Sequence, residues 1–402
     1  MPRYRPRHLA TRLRRALETH PVVFLEGARQ VGKTTLVRKV ADERGLRYVT
    51  LDDLDLLASA QADPEGFLDS WPEPLVLDEV QRTPELLLAI KARVDRKRTA
   101  GRYLLTGSAN VLALPRVAEA LVGRMAVLTL YPFSQGELEG RREVFVELAF
   151  HGRPPAEWED ADVTERIRQG GFPDAVQLRD ADRTEWFAGY VRTLLERDVR
   201  DISGVEQVAV LHALLVLLAE RSGSLLNVSE LSRSLGRPRS TTDKYLRLFE
   251  KLYLIRRLSA WAVNPTKRLT RSPKLHMVDT GLASYLAHSL REGAVLETFV
   301  AMELTKQLSW TAEPYRLSHY RDASGHEVDL VLEGPEGLMG IEVKSKRRVG
   351  PGDFSGLRAL KKAASDRFRA GYVLHPGTRA LPFGEGMWSL PVQALWRWGT
   401  QG

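Results

Sequence analysis

The chain has no cysteine, which excludes disulfides, thiol catalysis and zinc–thiolate sites and fits a reducing compartment, taken here as the cytoplasm. It also lacks a long apolar run. The longest, residues 208–219, contains His212 and is too short for a bilayer span, so it is expected to be a buried helix and no membrane partner is expected. The arginine-rich start has no apolar stretch behind it, so no secretory leader is expected. Internal repeats and low-complexity tracts are missing too. What is present is 402 residues with 43% hydrophobic content, enough for two or three domains with ample cores.

Positive charge is in excess but unevenly placed. Residues 221–274 hold 13 Lys or Arg against 3 Asp or Glu, a local +10 in a chain of net +8. The first fifteen residues add six arginines and no acid, so the rest of the chain is acidic. Basicity concentrated in this way points to a nucleic-acid partner; a solvated surface is the alternative.

Residues Val23 to Thr35 pass from an apolar strand into the spacing G-x-x-x-x-G-K-T and on to a helical apolar pattern at Leu36, Val37 and Val40. Gly27, Ala28, Arg29, Gln30, Val31 and Gly32 form a loop whose backbone N–H groups can curl around a polyphosphate at the positive end of a helix. Lys33 is placed to reach the β- and γ-phosphates and Thr34, followed by Thr35, to ligate Mg²⁺. The chain is therefore expected to bind a nucleoside triphosphate. Residues 74–79 read as a buried parallel strand ending in two acids, Asp78 to support Mg²⁺ and Glu79 to polarise the attacking water. A third strand, 102–106, leads to Ser108 and Asn110, either of which is a candidate γ-phosphate sensor.

Asn227 followed by Glu230 marks a helix start, and the stretch from Gly236 to Arg239 breaks that helix. Ser240 with Asp243 is expected to cap a second helix, with Leu246, Phe249 and Leu252 inward and Thr241, Thr242, Lys244 and Arg247 outward. With the Ile255–Arg257 strand and a basic loop, this is the pattern of a winged helix-turn-helix. Arg237, Arg239, Thr241, Thr242, Lys244 and Arg247 are the candidate DNA contacts, and packing against protein is the competing use.

In the C-terminal third, Glu297 lies on an apolar-rich helix, Asp329 on an alternating strand, and Glu342 and Lys344 on one face of the next. Paired strands would bring Asp329, Glu342 and Lys344 together, where the two carboxylates hold Mg²⁺ or Mn²⁺ and the lysine orients water. This layout resembles the PD-(D/E)xK nuclease fold. An ion-pair cluster and an inactive scaffold are the two competing readings.

The whole chain resembles the bacterial and archaeal AAA-type P-loop ATPases that end in the domain of unknown function 4143. The stretches carrying the resemblance are 27–36, 75–81, 105–110, 121–138, "GGFP" at 170–173, "VDTGL" at 278–282, "HEVDLVLE" and "IEVKS". The resemblance implies an α/β protein with a parallel-sheet AAA-type ATPase core, a winged helix and a restriction-endonuclease-like domain. It implies ATP rather than GTP, and an arginine finger reaching a neighbour's site, with Arg124 the candidate and Arg116 in reserve. The expected boundaries are a basic arm at 1–17, the ATPase core at 18–140, a helical lid at 141–204, the winged helix at 205–285 and the nuclease-like domain at 286–402. The expected function is Mg²⁺-dependent ATP hydrolysis coupled to translocation on, or remodelling of, duplex or branched DNA by a ring or other homo-oligomer. An ATP-regulated metal nuclease and a nucleotide-switched interaction protein are the alternatives.

Overall fold

A computed structural model of the chain describes residues 4–107, 123–198, 208–264, 271–289 and 291–399. The chain divides into two compact units, Met1–Phe133 with Lys251–Tyr253, and Ser134–Glu250 with Leu254–Gly402.

In the first unit, β1 (Val22–Glu26), β2 (Arg47–Thr50), β3 (Leu75–Asp78), β4 (Tyr103–Gly107) and β5 (Met125–Thr129) form a parallel sheet in the order β2-β3-β4-β1-β5. The three central strands β3, β4 and β1 are buried along their whole length, as short apolar runs covered on both faces must be. Helices α1 (Leu9–Thr19), α2 (Lys33–Arg44), α3 (Leu54–Ala62), α4 (Pro64–Asp69) and α5 (Glu85–Arg96) belong to this unit. In α2, Leu36, Val37 and Val40 are buried as the apolar spacing predicts. Because all strands run the same way, the C-terminal ends of β1, β3 and β4 lie at one edge of the sheet, the edge at which ligands bind in open parallel sheets.

The expected basic arm is corrected in part. Residues 9–19 are helical, and Leu9, Leu13 and Leu17, four residues apart, bury one face of α1. Arg7 is almost fully buried and donates from Nη1 to Val31 O at 2.7 Å, with its guanidinium over the Phe133 ring. Counting arginines concealed this apolar stripe.

The second unit opens with helices α6 (Gln135–Glu139), α7 (Phe145–Leu148), α8 (Val163–Gln169) and α9 (Asp180–Thr193). Next come α10 (Val208–Glu220), β6 (Ser224–Leu225), α11 (Val228–Leu235), α12 (Arg239–Lys251), β7 (Ile255–Leu258) and β8 (Lys274–Met277), whose strands make an antiparallel sheet in the order β6-β8-β7. The helix α10 covers the apolar run noted above; Leu211, Leu214, Leu215 and Leu218 are buried while His212 is exposed. No helix among the described residues is long and apolar enough to cross a membrane.

The remainder holds α13 (Thr280–Leu286), α14 (Glu292–Trp310), β9 (Arg316–Arg321), β10 (Glu327–Gly334), β11 (Gly337–Val343), α15 (Ser355–Ala364), β12 (Phe368–His375), β13 (Leu381–Pro382), β14 (Met387–Pro391) and α16 (Ala394–Arg397). Its six strands form a mixed sheet in the order β13-β14-β12-β11-β10-β9. One cluster of side chains joins Phe299, Val300, Leu330, Ile341 and Trp396; another joins Val328, Phe354, Leu357 and Val373.

Two short sequences 108 residues apart meet here. Asp279 caps α13 by accepting from Leu282 N at 2.9 Å, and its other oxygen accepts from Gly171 N at 2.7 Å, just beyond the end of α8. Gly170 has φ +66° and ψ −155°, which side chains with a Cβ avoid, and a Cβ there would lie 2.4 Å from Asp279 Oδ1. Gly170→Ala therefore adds backbone strain to a steric clash, and we expect it to cost the second unit about 3 kcal/mol in urea unfolding. An unchanged midpoint would show that this junction is slack.

Candidate functional site

The loop between β1 and α2 turns on two glycines. A Cβ at Gly27 would come within 2.2 Å of Leu130 O, and Gly32 has φ 92° at the N-terminus of α2. Only residues without a side chain allow this path. The Lys33 ammonium lies along the loop, donating to Gly27 O at 2.9 Å and Ala28 O at 2.8 Å.

Thr34 joins this loop to β3, its hydroxyl donating to Asp78 Oδ2 at 2.8 Å. Two further hydroxyls fix the same carboxylate: Tyr48 donates to Oδ2 at 2.6 Å, and Thr106 to Oδ1. Burial, then the hydrogen bond to Asp78, pushes the Tyr48 phenol up to about 12, so it stays a donor. Neither Tyr48 nor Thr106 was singled out in the sequence. Thr106 carries its own signal, a lone hydroxyl ending an otherwise apolar strand, and β4 lies between β1 and β3, which places it between the phosphate loop and the acids.

Glu79 adopts a left-handed backbone, φ 61° and ψ 43°, a strained state for a residue with a side chain and one that recurs at functional sites. Its N–H donates to Thr106 Oγ1 at 3.1 Å, and Gln81 donates to its carboxylate. Asp78 thus ends β3 aimed at Thr34, while the next residue turns sharply out of the strand. Ser108, Asn110 and Arg116 lie outside the described residues. Arg124 is paired within the unit, its Nε 2.5 Å from Asp95 Oδ1.

Comparisons agree with this geometry. Residues 19–139 match the family described as AAA domain. The chain carries an AAA-type P-loop ATPase domain. Beyond this domain, residues 292–395 match the domain of unknown function 4143, and residues 160–292 match a separate domain of unknown function, 8612. The chain is 29% identical over 407 aligned positions to the uncharacterized protein Rv2008c of Mycobacterium tuberculosis, covering 98% of this chain and 85% of that one. Among solved structures, the Walker-type ATPase PABY2304 of Pyrococcus abyssi aligns with a TM-score of 0.45 and 17% identity, covering 69% of this chain and 94% of that one. The Thermotoga maritima RuvB Holliday junction branch migration motor aligns with a TM-score of 0.30 and 22% identity, covering 62% and 88%.

The hydroxyl of Thr34 and the carboxylate of Asp78 are hard oxygen donors already within a hydrogen bond of each other, and they fit Mg²⁺.

The chain gathers a second set of groups in its other unit. The register Leu330↔Ile341 places Asp329 opposite Glu342, and Lys344 Nζ donates to Glu342 Oε1 at 2.6 Å. Glu297, on α14, joins them through a residue the sequence reading passed over. Lys274 Nζ donates to Glu297 Oε1 and to Asp329 Oδ1, both at 2.8 Å. Its signal was the alternation Lys274-Leu275-His276-Met277, which puts a lysine and a histidine on one face of a buried strand.

The two carboxylates expected to hold a metal, Asp329 and Glu342, are brought together, with Lys274 alongside them. Among the described residues no group of three or more His, Cys, Asp or Glu is arranged to hold an ion. An ammonium sits between two of the carboxylates, and Asp329 Oδ2 accepts from Val343 N at 2.9 Å. Burial raises the Glu297 carboxyl well above its usual range and Glu342 to about 7, the neighbouring Asp329 adding to both.

His276, fully buried, is held down to about 3 by burial and then by the Lys274 charge. The unfolded chain takes up a proton near the ordinary histidine value of 6.5, and the folded chain does not until about 3. The contribution of His276 is therefore fully present above about 6.5 and lost as pH falls toward 3, up to about 5 kcal/mol in all. We expect the stability difference between wild type and His276→Gln to shrink in this direction, measured by urea unfolding from pH 7 to pH 4. A constant difference would mean that the ring is charged in the fold.

Of the candidate DNA contacts, Arg239, Lys244 and Arg247 are exposed on α12, and Arg237 and Thr241 are half-buried. Thr242 is a correction. It is fully buried, accepting from Ser232 Oγ at 3.1 Å and donating to Pro238 O at 3.3 Å, because it shares a helical stripe with Tyr245, Leu246 and Phe249. Ser240 also differs from expectation, lying inside α12, which begins at Arg239. Asn227 does cap α11, accepting from Glu230 N at 3.1 Å.

Proposed function

We propose that the protein hydrolyses ATP with Mg²⁺ and couples turnover to moving along, or remodelling, duplex or branched DNA as a ring or other homo-oligomer. The observation that carries the hydrolytic part is the bridge from Thr34 to Asp78 at 2.8 Å, with Glu79 immediately beyond. In this reading the loop amides from Gly27 to Gly32 receive the phosphates, and Lys33 leaves the carbonyls of Gly27 and Ala28 for the β- and γ-phosphate oxygens. Thr34 and Asp78 would hold Mg²⁺, whose charge would offset that building on the phosphates. Glu79 orients the attacking water and takes its proton. Arg124 would leave Asp95 to complete a neighbour's site.

What supports the DNA part is local charge and exposure. The 221–274 segment carries +10, and Arg239, Lys244 and Arg247 face outward from the second helix after a tight turn, the place from which a winged helix meets DNA. Phosphate contacts release counterions, so duplex binding should fall steeply with salt. Removing all three charges together is expected to weaken binding at 50 mM salt and to flatten the log–log salt slope by roughly 2 to 3. Fluorescence anisotropy at several salt concentrations checks this. Binding that ignores salt and these substitutions would move α12 to a protein-packing role.

A further inference from the structure

The carboxylate cluster of the second unit already contains a cation. Lys274 is 5% exposed and reaches it from β8, the middle strand of the small sheet. Its Nζ is equidistant, at 2.8 Å, from one oxygen of Glu297 on α14 and one oxygen of Asp329 on β10. A metal shared by those two carboxylates would occupy the same place, since oxygen ligands to Mg²⁺ or Mn²⁺ sit little more than about 2 Å from the ion. The two cations exclude each other by volume and by charge.

The surrounding groups fit a single-charge occupant. Asp329's second oxygen is taken by Val343 N, and one oxygen of Glu342 by Lys344. The other, Glu342 Oε2, is buried without a hydrogen-bond partner. His276 is neutral at ordinary pH and adds no charge. Three carboxyl groups therefore face two ammonium groups, and burial favours a proton on Glu297 and on Glu342. The two further positive charges of a divalent ion have no place in that count while Lys274 stays.

We propose that Lys274 is the resident cation of this cluster and stands in place of a divalent metal, so that the wild-type site takes none and loss of the ammonium opens one. In this arrangement the cluster serves as a bolt. One lysine ties the small sheet to both the long helix α14 and the six-stranded sheet, where a nuclease would keep a loaded ion. The inference is independent of the ATPase reading, which uses other residues.

The test is Mn²⁺ binding to the full chain without nucleotide, followed by the paramagnetic resonance of free Mn²⁺. Asp329→Asn in each background separates this cluster from any other site. Wild type is expected to show no Asp329-dependent binding up to about millimolar Mn²⁺, the weak end of protein carboxylate sites. Lys274→Ala is expected to gain one Asp329-dependent site at least about 100-fold tighter. Lys274→Gln, close in length and still able to donate to one carboxylate, is the second variant should truncation to alanine prevent folding, and the same gain is expected. An Asp329-dependent Mn²⁺ site in the wild type would overturn the proposal whatever the variants do. So would a folded Lys274 variant, by circular dichroism, that gains no such site.

Discussion

Glu79→Gln is expected to lower ATP turnover by about 10²- to 10⁴-fold, the range for loss of a positioned general base, while ATP binding is retained. Glutamine keeps the size of the side chain and its ability to hydrogen-bond Gln81, but it cannot take a proton from water. The left-handed backbone at Glu79 and the bond from its N–H to Thr106 belong to the main chain, so the substitution should leave the loop path intact. Single-turnover hydrolysis alongside equilibrium binding of a fluorescent ATP analogue separates the two effects. A variant that turns over at the wild-type rate removes Glu79 from the reaction; one that fails to bind assigns it a structural role.

The second large effect concerns Asp78 and the hydroxyl beneath it. Asp78→Asn removes the negative charge that meets Mg²⁺, and we expect a loss in kcat of about 10²-fold or more, since the charge stabilisation a metal brings is worth several kcal/mol. Thr106→Val keeps the shape of the side chain and deletes only the donor to Asp78 Oδ1 and the acceptor for Glu79 N. A group that orients a metal ligand typically accounts for 10- to 100-fold, so Thr106→Val should fall in that range and raise the Mg²⁺ concentration needed for half-maximal rate. Titrating Mg²⁺ at saturating ATP tests this. A Thr106→Val enzyme with lowered kcat and an unaltered Mg²⁺ requirement would place the threonine in support of Glu79 alone.

The candidate nucleotide site was legible in the sequence wherever chemistry is local. Gly27, Gly32, Lys33 and Thr34 fall in one loop, and the acids Asp78 and Glu79 end a short apolar run, so spacing alone located them. Thr106 was not legible in that way, because its role depends on β4 inserting between β1 and β3, and strand order is set by the packing of whole elements. The reading looked instead to the residues that follow, Ser108 and Asn110. Helix α1 was obscured by arginines; six in the first fifteen residues, three of them in the helix, hide the stripe Leu9, Leu13 and Leu17. Thr242 was placed outward because it is polar, yet one hydroxyl bonded to Ser232 sits easily in an apolar stripe.

The C-terminal cluster is the most instructive case. The structure brings Asp329, Glu342 and Lys344 to one side, as the alternation in β10 and β11 predicts, and Glu297 of α14 reaches the same cluster through Lys274. No local pattern indicated that the nearest partner of Glu297 and Asp329 would come from 23 and 55 residues upstream. A pattern of acids and one lysine on paired strands describes a metal site and a buried ion-pair cluster equally well. Which one forms depends on whether another element delivers an ammonium first, and here β8 does.

The measurement that tests the central claim most directly is steady-state ATP hydrolysis by the full chain with Mg²⁺, in the absence of DNA and with single-stranded, duplex and four-way-junction DNA. Glu79→Gln serves as the inactive control. The account predicts hydrolysis in the wild type that is lost in the control and stimulated by duplex or junction DNA. Hydrolysis that no DNA form alters, at a salt concentration where the basic segment should bind, would contradict it.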